Sequence, residues 1–269
     1  MKSVSDGNTD WEPNEMMSKQ IVTGYRVLAV SFYFVFPLFF AMPAIAMDGN
    51  AILMQVDKNL QPESYEMYRK LINIEPDGDK KEFVLYSVKK GQEKMVALFL
   101  SPASEKGRST LRLGENMWLY IPSVGKPIRI TSLQSVVGGV FNNSDILRLD
   151  YSTEYHVKSI QENENHYLLE LKAKTAFIAY DRLKMLVDKE RMVPTTIECY
   201  TASNMLIKTL YYKQSKDFGN GIIRPSVLET DSPLYKGYKS VMIYAKINRK
   251  ELADEIFSLN YLPKVAELR

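Results

Sequence analysis

Histidine and cysteine are nearly missing from this chain: His156, His166 and Cys199 are all that 269 residues contain. One cysteine excludes an intramolecular disulfide, and an unpaired thiol of this kind reads as a buried, inert side chain. No His-x-x-x-His or Cys-x-x-Cys spacing exists, so a zinc site would have to lean on carboxylates. Catalytic motifs are missing as well. No Gly-x-Ser-x-Gly elbow occurs. Gly125-Lys126 imitates the end of a phosphate loop, but Tyr120 stands where the first glycine belongs and Pro127 where the magnesium-binding hydroxyl belongs. Gly219-Asn220-Gly221 suits a hairpin turn better than a dinucleotide fingerprint, and Asp77-Gly78-Asp79 lacks the ligand series of a calcium loop. A strong charge of one sign is also lacking, with 35 basic against 32 acidic residues scattered without blocks, so nucleic acid is not an expected partner.

Charge is entirely absent from residues 27–47, a run rich in Phe and Val that ends in Ala44-Ile45-Ala46. Lys19 and Arg26 before it and small residues at its end give the layout of a secretory signal peptide cleaved after Ala46. A spanning helix needs about 20 apolar residues, which this run just reaches, but Pro37 and Pro43 favour cleavage over a retained anchor. Asp6, Asp10, Glu12 and Glu15 do not belong in a positive n-region, so translation from Met16 or Met17 fits better. The expected organisation is therefore an N-terminal extension and signal peptide at 1–46 and one domain outside the cytoplasm at 47–269. No cysteine stands at the cleavage site to carry a lipid anchor.

Beyond residue 47 the hydrophobic period defines the elements. Asn50 is placed to cap a helix carrying Ile52, Leu53, Val56 and Leu60. Short runs at 64–75, 82–89, 94–101, 108–113 and 117–122 then alternate with turn chemistry such as Lys90-Gly91 and Lys106-Gly107. The second half continues with strands near 155–161, 167–174, 182–188, 195–201, 205–213, 222–229 and 240–247. In two of them, apolar Leu169 and Leu171, and Ile243 and Ala245, share a face. Short helices are expected at 145–149 and 250–257. The fold class is mainly β: a long antiparallel sheet with a few short helices and no parallel crossover units.

The abundant resource is apolar and aromatic surface, with 17 Tyr, 11 Phe, 13 Met and 2 Trp. Either helices and the curl of the sheet fill its apolar face completely, or a cavity remains that an apolar ligand can enter.

One stretch carries a family likeness. Residues 107–122, ending in Trp118-Leu119-Tyr120-Ile121-Pro122, lead through Ile128-Arg129-Ile130 to Gly138-Gly139-Val140-Phe141 and Asp145-Ile146. Ala179-Tyr180-Asp181, Val193-Pro194 and residues 206–210 follow in order. This succession resembles a divergent branch of the bacterial outer-membrane lipoprotein-sorting proteins, the LolA-like family, from about residue 52 to 262. The resemblance implies a curved antiparallel half-barrel closed by helices, whose apolar cavity takes up acyl chains of lipoproteins, or other lipids, between the inner and outer membranes. It implies no enzyme activity, no metal and no cofactor, a monomer, and a large inner-membrane transporter as donor. On that reading Trp118, Tyr120, Leu169, Leu171, Ile243 and Ala245 line the cavity, and Gly138, Gly139 and Phe141 form a lid or hinge. Trp118 and Tyr120 also suit an ordinary core. Arg108, Arg112 and Arg129 read as solvated sheet edge or outer face. Two other functions compete: a periplasmic sensor of mislocalised lipid or lipoprotein acting through a membrane partner, and a hydrolase using His156 or His166.

Overall fold

A computed structural model describes residues 48–269; the expected signal segment and its cleavage site lie outside the described residues. A helix, α1 (Gly49–Leu60), comes first. Its cap is Asp48, two residues before the expected Asn50, and the Asp48 side chain accepts from the Asn50 N–H. Six strands follow: β1 (Ser64–Ile74), β2 (Lys80–Lys90), β3 (Lys94–Ser101), β4 (Ser109–Leu113), β5 (Asn116–Tyr120) and β6 (Ile128–Ile130). A connecting segment carries α2 (Asn143–Ile146) and α3 (Tyr151–Glu154). Seven more strands complete the sheet: β7 (Tyr155–Glu162), β8 (His166–Ala173), β9 (Arg182–Asp188), β10 (Val193–Tyr200), β11 (Leu206–Asp217), β12 (Ile223–Asp231) and β13 (Lys239–Arg249).

All thirteen strands form one antiparallel sheet in the order β6-β5-β4-β3-β2-β1-β13-β12-β11-β10-β9-β8-β7, not closed into a barrel. Two meanders are thus joined at the centre, where the first strand pairs the last along residues 65–74. Short turns suffice for every connection except the one from β6 to β7, and that long connection is what crosses the sheet. The concave face packs α1 through Ile52, Leu53, Val56 and Leu60, and the connecting segment through Phe141, Ile146, Leu147 and Leu149, against Leu169, Leu171, Met185, Ile197, Leu210 and Leu228. We call α1 and residues 131–155 the cover.

In β2 to β5 the opposite face is buried too. Tyr86, Val88, Val96, Leu98 and Leu111 pack there against Leu252, Ile256, Phe257, Leu262 and Val265 of the C-terminal segment. The helix expected at 250–257 is only a 3₁₀ turn at Asp254–Ile256, followed by a second at Leu262–Leu268. β13 runs to Arg249 and Lys250 stays bonded to Ser64, so the chain leaves the sheet too late and too flat to wind a longer helix over it.

Candidate functional site

Strand alternation aims residues 69, 87, 89 and 112 from the first meander, and 208 and 224 from the second, at the concave face. Five of these six are cations: Arg69, Lys89, Arg112, Lys208 and Arg224, all at least nine-tenths buried. The acidic groups beneath the cover all sit on the cover itself: Asp57 on α1, Asp145 on α2, and Asp150 and Glu154 at α3. Three ion pairs join the two layers. Lys89 Nζ lies 2.8 Å from Asp150, Lys208 Nζ 2.9 Å from Asp145, and Arg112 donates to Glu154. The sheet cations also donate to backbone carbonyls of the cover: Arg69 to Ile146 (2.6 Å), Arg112 to Leu147 (3.0 Å), Lys208 to Val140 and Arg224 to Leu60. The Leu60, Ile146 and Leu147 carbonyls are among those that helices leave unpaired at their C-terminal ends, whereas Val140 lies just before α2, so cations on strands satisfy backbone groups of the cover.

Asp145 is the hub. It completes a capping box with Asn142, accepts from the Tyr180 hydroxyl at 3.0 Å, and is approached by Lys208 and Arg148. Burial pushes its carboxyl up, but Lys208, Arg148 and the Asn142 N–H bring it net below the usual carboxylate range. Asp57 behaves oppositely. Burial raises its carboxyl to about 6, only partly offset by its bonds to Ser152 and Tyr151. Small cavities of about 20 Å³ and 10 Å³ lie beneath the cover among the described residues, the larger with room for about one water molecule. The larger is lined by Arg69, Arg148, Arg224, Tyr65, Tyr212 and Tyr244, among others. An open groove of about 660 Å³ leads toward Arg112 and Glu154 from outside, with Phe177 at its rim, 72% exposed.

The structure distributes the expected site residues over both faces. Leu169 and Leu171 are buried on the concave face. Trp118 and Tyr120 do share a strand face, but it is the opposite one, packed on the C-terminal segment. Ile243 and Ala245 also point away from the cavity, because Met242 and Tyr244 take the concave side of β13. A bulge at Ala245, opposite the Tyr68/Arg69 step, then flips the parity so that Ile247 is also inward. Gly138 and Gly139 are tied to the central strands through Asn73 and Ser240. Asn73 donates to the Val137 carbonyl at 3.2 Å, and the Ser240 hydroxyl, which donates to Asn73 at 2.8 Å, accepts from the Val140 N–H at 2.9 Å. Gly138 has φ +77°, and a Cβ on Gly139 would sit 2.0 Å from Asn73 Oδ1, so both glycines are explained by local fit. Phe141 is a buried core residue of the cover.

Arg112, expected on a solvated edge, is instead part of the interior latch. The signal was available in its parity with Thr110 on β4, but an arginine on an apolar strand is not read inward without its Glu154 partner. His156 is exposed on β7 and His166 lies at the start of β8; among the described residues neither imidazole makes a hydrogen bond. Cys199 is fully buried, and burial pushes its thiol up. Among the described residues no group of three His, Cys, Asp or Glu is placed to hold a metal, and no helix is long and apolar enough to cross a membrane.

A protein-family model, described only as one of uncharacterized proteins, matches residues 91–264. A LolA superfamily protein from Nitrosomonas europaea superposes with a TM-score of 0.73 at 27% identity, covering 80% of this chain and 100% of its own. A DUF1329 family protein from Desulfovibrio piger gives 0.69 at 19%, covering 80% and 97%. A domain assigned to outer membrane lipoprotein sorting from Vibrio parahaemolyticus gives 0.66 at 17%, covering 78% and 97%. No curated protein matches.

Proposed function

We propose that this chain, whose fold matches that of a LolA superfamily protein over 80% of its length at 27% identity, is a periplasmic carrier that takes lipoprotein acyl chains, or other lipids, beneath its cover and moves them between the inner and outer membranes. The observation that supports this reading is that the concave face is closed by α1 and residues 131–155 and not by further strands. A cover of separate short elements can leave the sheet without breaking its strand ladder. Its apolar side chains, such as Ile52, Leu53 and Phe141, occupy the places acyl methylenes would fill. Burial of a chain yields about 0.8 kcal/mol per methylene, so a long chain supplies enough to replace those contacts.

The cavities beneath the cover are too small for a chain, which makes cover displacement the first step of loading. The groove rimmed by Phe177 is the natural portal: exposed polar contacts from Thr175 to Glu115 and from Ser132 to the Phe177 carbonyl cross its rim, and Lys174 bonded to the Glu154 and Ser152 carbonyls, with the Arg112–Glu154 pair, closes it deeper in. A carrier of this kind needs no catalytic group. It does need a donor able to lift lipid from a bilayer, for which an inner-membrane transporter is the fitting partner. A fluorescent fatty-acyl probe is expected to bind the purified protein and to be displaced by lipopeptide, with Leu169→Asp and Leu171→Asp abolishing uptake. A well-folded wild-type protein that binds no acyl probe would remove the basis of the proposal.

A further inference from the structure

Two of the buried cations have no carboxylate. Among the described residues Arg69 donates only to Ser87 Oγ (2.9 Å) and the Ile146 carbonyl, and its buried Nε has no partner. Arg224 donates only to the carbonyls of Pro225 and Leu60, with its guanidinium 4.2 Å above the Tyr244 ring. Both side chains are at least nine-tenths buried, and both line the same 20 Å³ cavity under the end of α1. Arg148 reaches that cavity from the cover, its partner Asp145 being shared with Lys208. A guanidinium held only by neutral oxygens recovers little of the hydration it gave up. Asp57 and Asp145 line the cavity as well, but Asp57 is taken up by the Tyr151 and Ser152 N–H groups and Asp145 is shared between Arg148 and Lys208, so the three guanidiniums still leave an excess of positive charge that packing alone does not require.

We propose that this cavity is the binding site for an anionic headgroup, a phosphate or carboxylate, of an amphiphilic cargo, with Arg69 and Arg224 as its fixed donors and Arg148 as the third. The inference rests on the carrier reading and adds the chemistry of the cargo to it. Guanidinium forks match the paired oxygens of phosphate and carboxylate, and both arginines stand on strands of the rigid sheet. The neighbouring cations already hold groups of that class, since Lys89, Arg112 and Lys208 each grip a carboxylate of the cover. The cover's acids thus mimic the cargo. An incoming anion exchanges with them, and the apolar face beside the arginines receives the chain attached to it. A volume of about 20 Å³ admits no phosphate group, so headgroup and chain enter together once the cover has moved.

Displacement of a neutral fluorescent hydrocarbon probe from the purified protein tests this with three competitors: dodecyl phosphate, dodecanol and inorganic phosphate. Dodecyl phosphate is expected to compete at least about tenfold better than dodecanol. Arg69→Met with Arg224→Met is expected to keep dodecanol binding and lose the preference. If that variant does not fold, Arg69→Lys with Arg224→Lys keeps the charge without the fork, and an intermediate preference is expected of it. Equal competition by phosphate and alcohol overturns the headgroup site and leaves the carrier reading intact, whereas failure of the protein to bind the probe at all overturns both. Calorimetric binding of inorganic phosphate as tight as that of dodecyl phosphate would mark a site for the free oxyanion and overturn the headgroup assignment.

Discussion

Replacing Asp145 with alanine removes the hub of the latch between cover and sheet, and the structure sets the scale of the loss. The side chain is fully buried and has four partners: Lys208 at 2.9 Å, the Tyr180 hydroxyl at 3.0 Å, the Asn142 N–H at 3.0 Å and Arg148 at 3.3 Å. Lys208, itself buried, would keep only the Val140 carbonyl. Breaking a buried pair from one side costs about 3–5 kcal/mol, and a domain of this size loses about 2–4 °C of melting temperature per kcal/mol, so a fall of roughly 6–20 °C is expected. Denaturant melts of the wild type, Asp145→Ala, and Asp145→Asn combined with Lys208→Met measure it. The double variant, which leaves no lone charge at the pair, is expected to recover a large part of the loss. The sign with pH follows from the lowered carboxyl: the stabilisation is fully present above the ordinary carboxylate range and fades as pH falls through the lowered value, so the wild type softens in acid more than Asp145→Asn. A single-variant loss below about 1 kcal/mol, or a double variant no better than the single, would refute the latch.

Asp57 predicts the opposite trend. Its carboxyl is raised to about 6 by burial, so the folded protein holds a proton that the unfolded chain releases, and stability rises as pH is lowered from 7 toward 5. Asp57→Asn is expected to flatten that part of the profile in thermal melts at graded pH, and an unchanged slope would place the titration elsewhere. Gly139→Ala brings a methyl group 2.0 Å from the Asn73 Oδ1 that Ser240 and Val137 hold in place. It is expected to destabilise by about 1–3 kcal/mol in urea melts; no loss would mean that the segment moves freely enough to be a hinge after all.

Local sequence determined the ladder. Alternation, turn residues and strand lengths follow from backbone geometry within a few residues, so twelve of the thirteen strands lie close to where period and punctuation place them, and β6 is too short for a period to show. The fold class and the family likeness were legible for the same reason, since both rest on the order of such segments. What tertiary structure alone decided is which side of each strand is inside. Trp118 and Leu169 are both apolar residues in the middle of a strand, yet they face opposite ways because the C-terminal segment covers one face of the first meander and α1 with residues 131–155 covers the other. In β13 a single extra residue at Ala245 reverses parity, and a bulge of that kind is fixed by the partner strand, β1. The charged interior was least legible of all. Arg69, Lys89, Arg112, Lys208 and Arg224 each look solvated in their own segments, and a buried charge makes sense only once the carboxylates and carbonyls that compensate it, tens of residues away, have been folded over it.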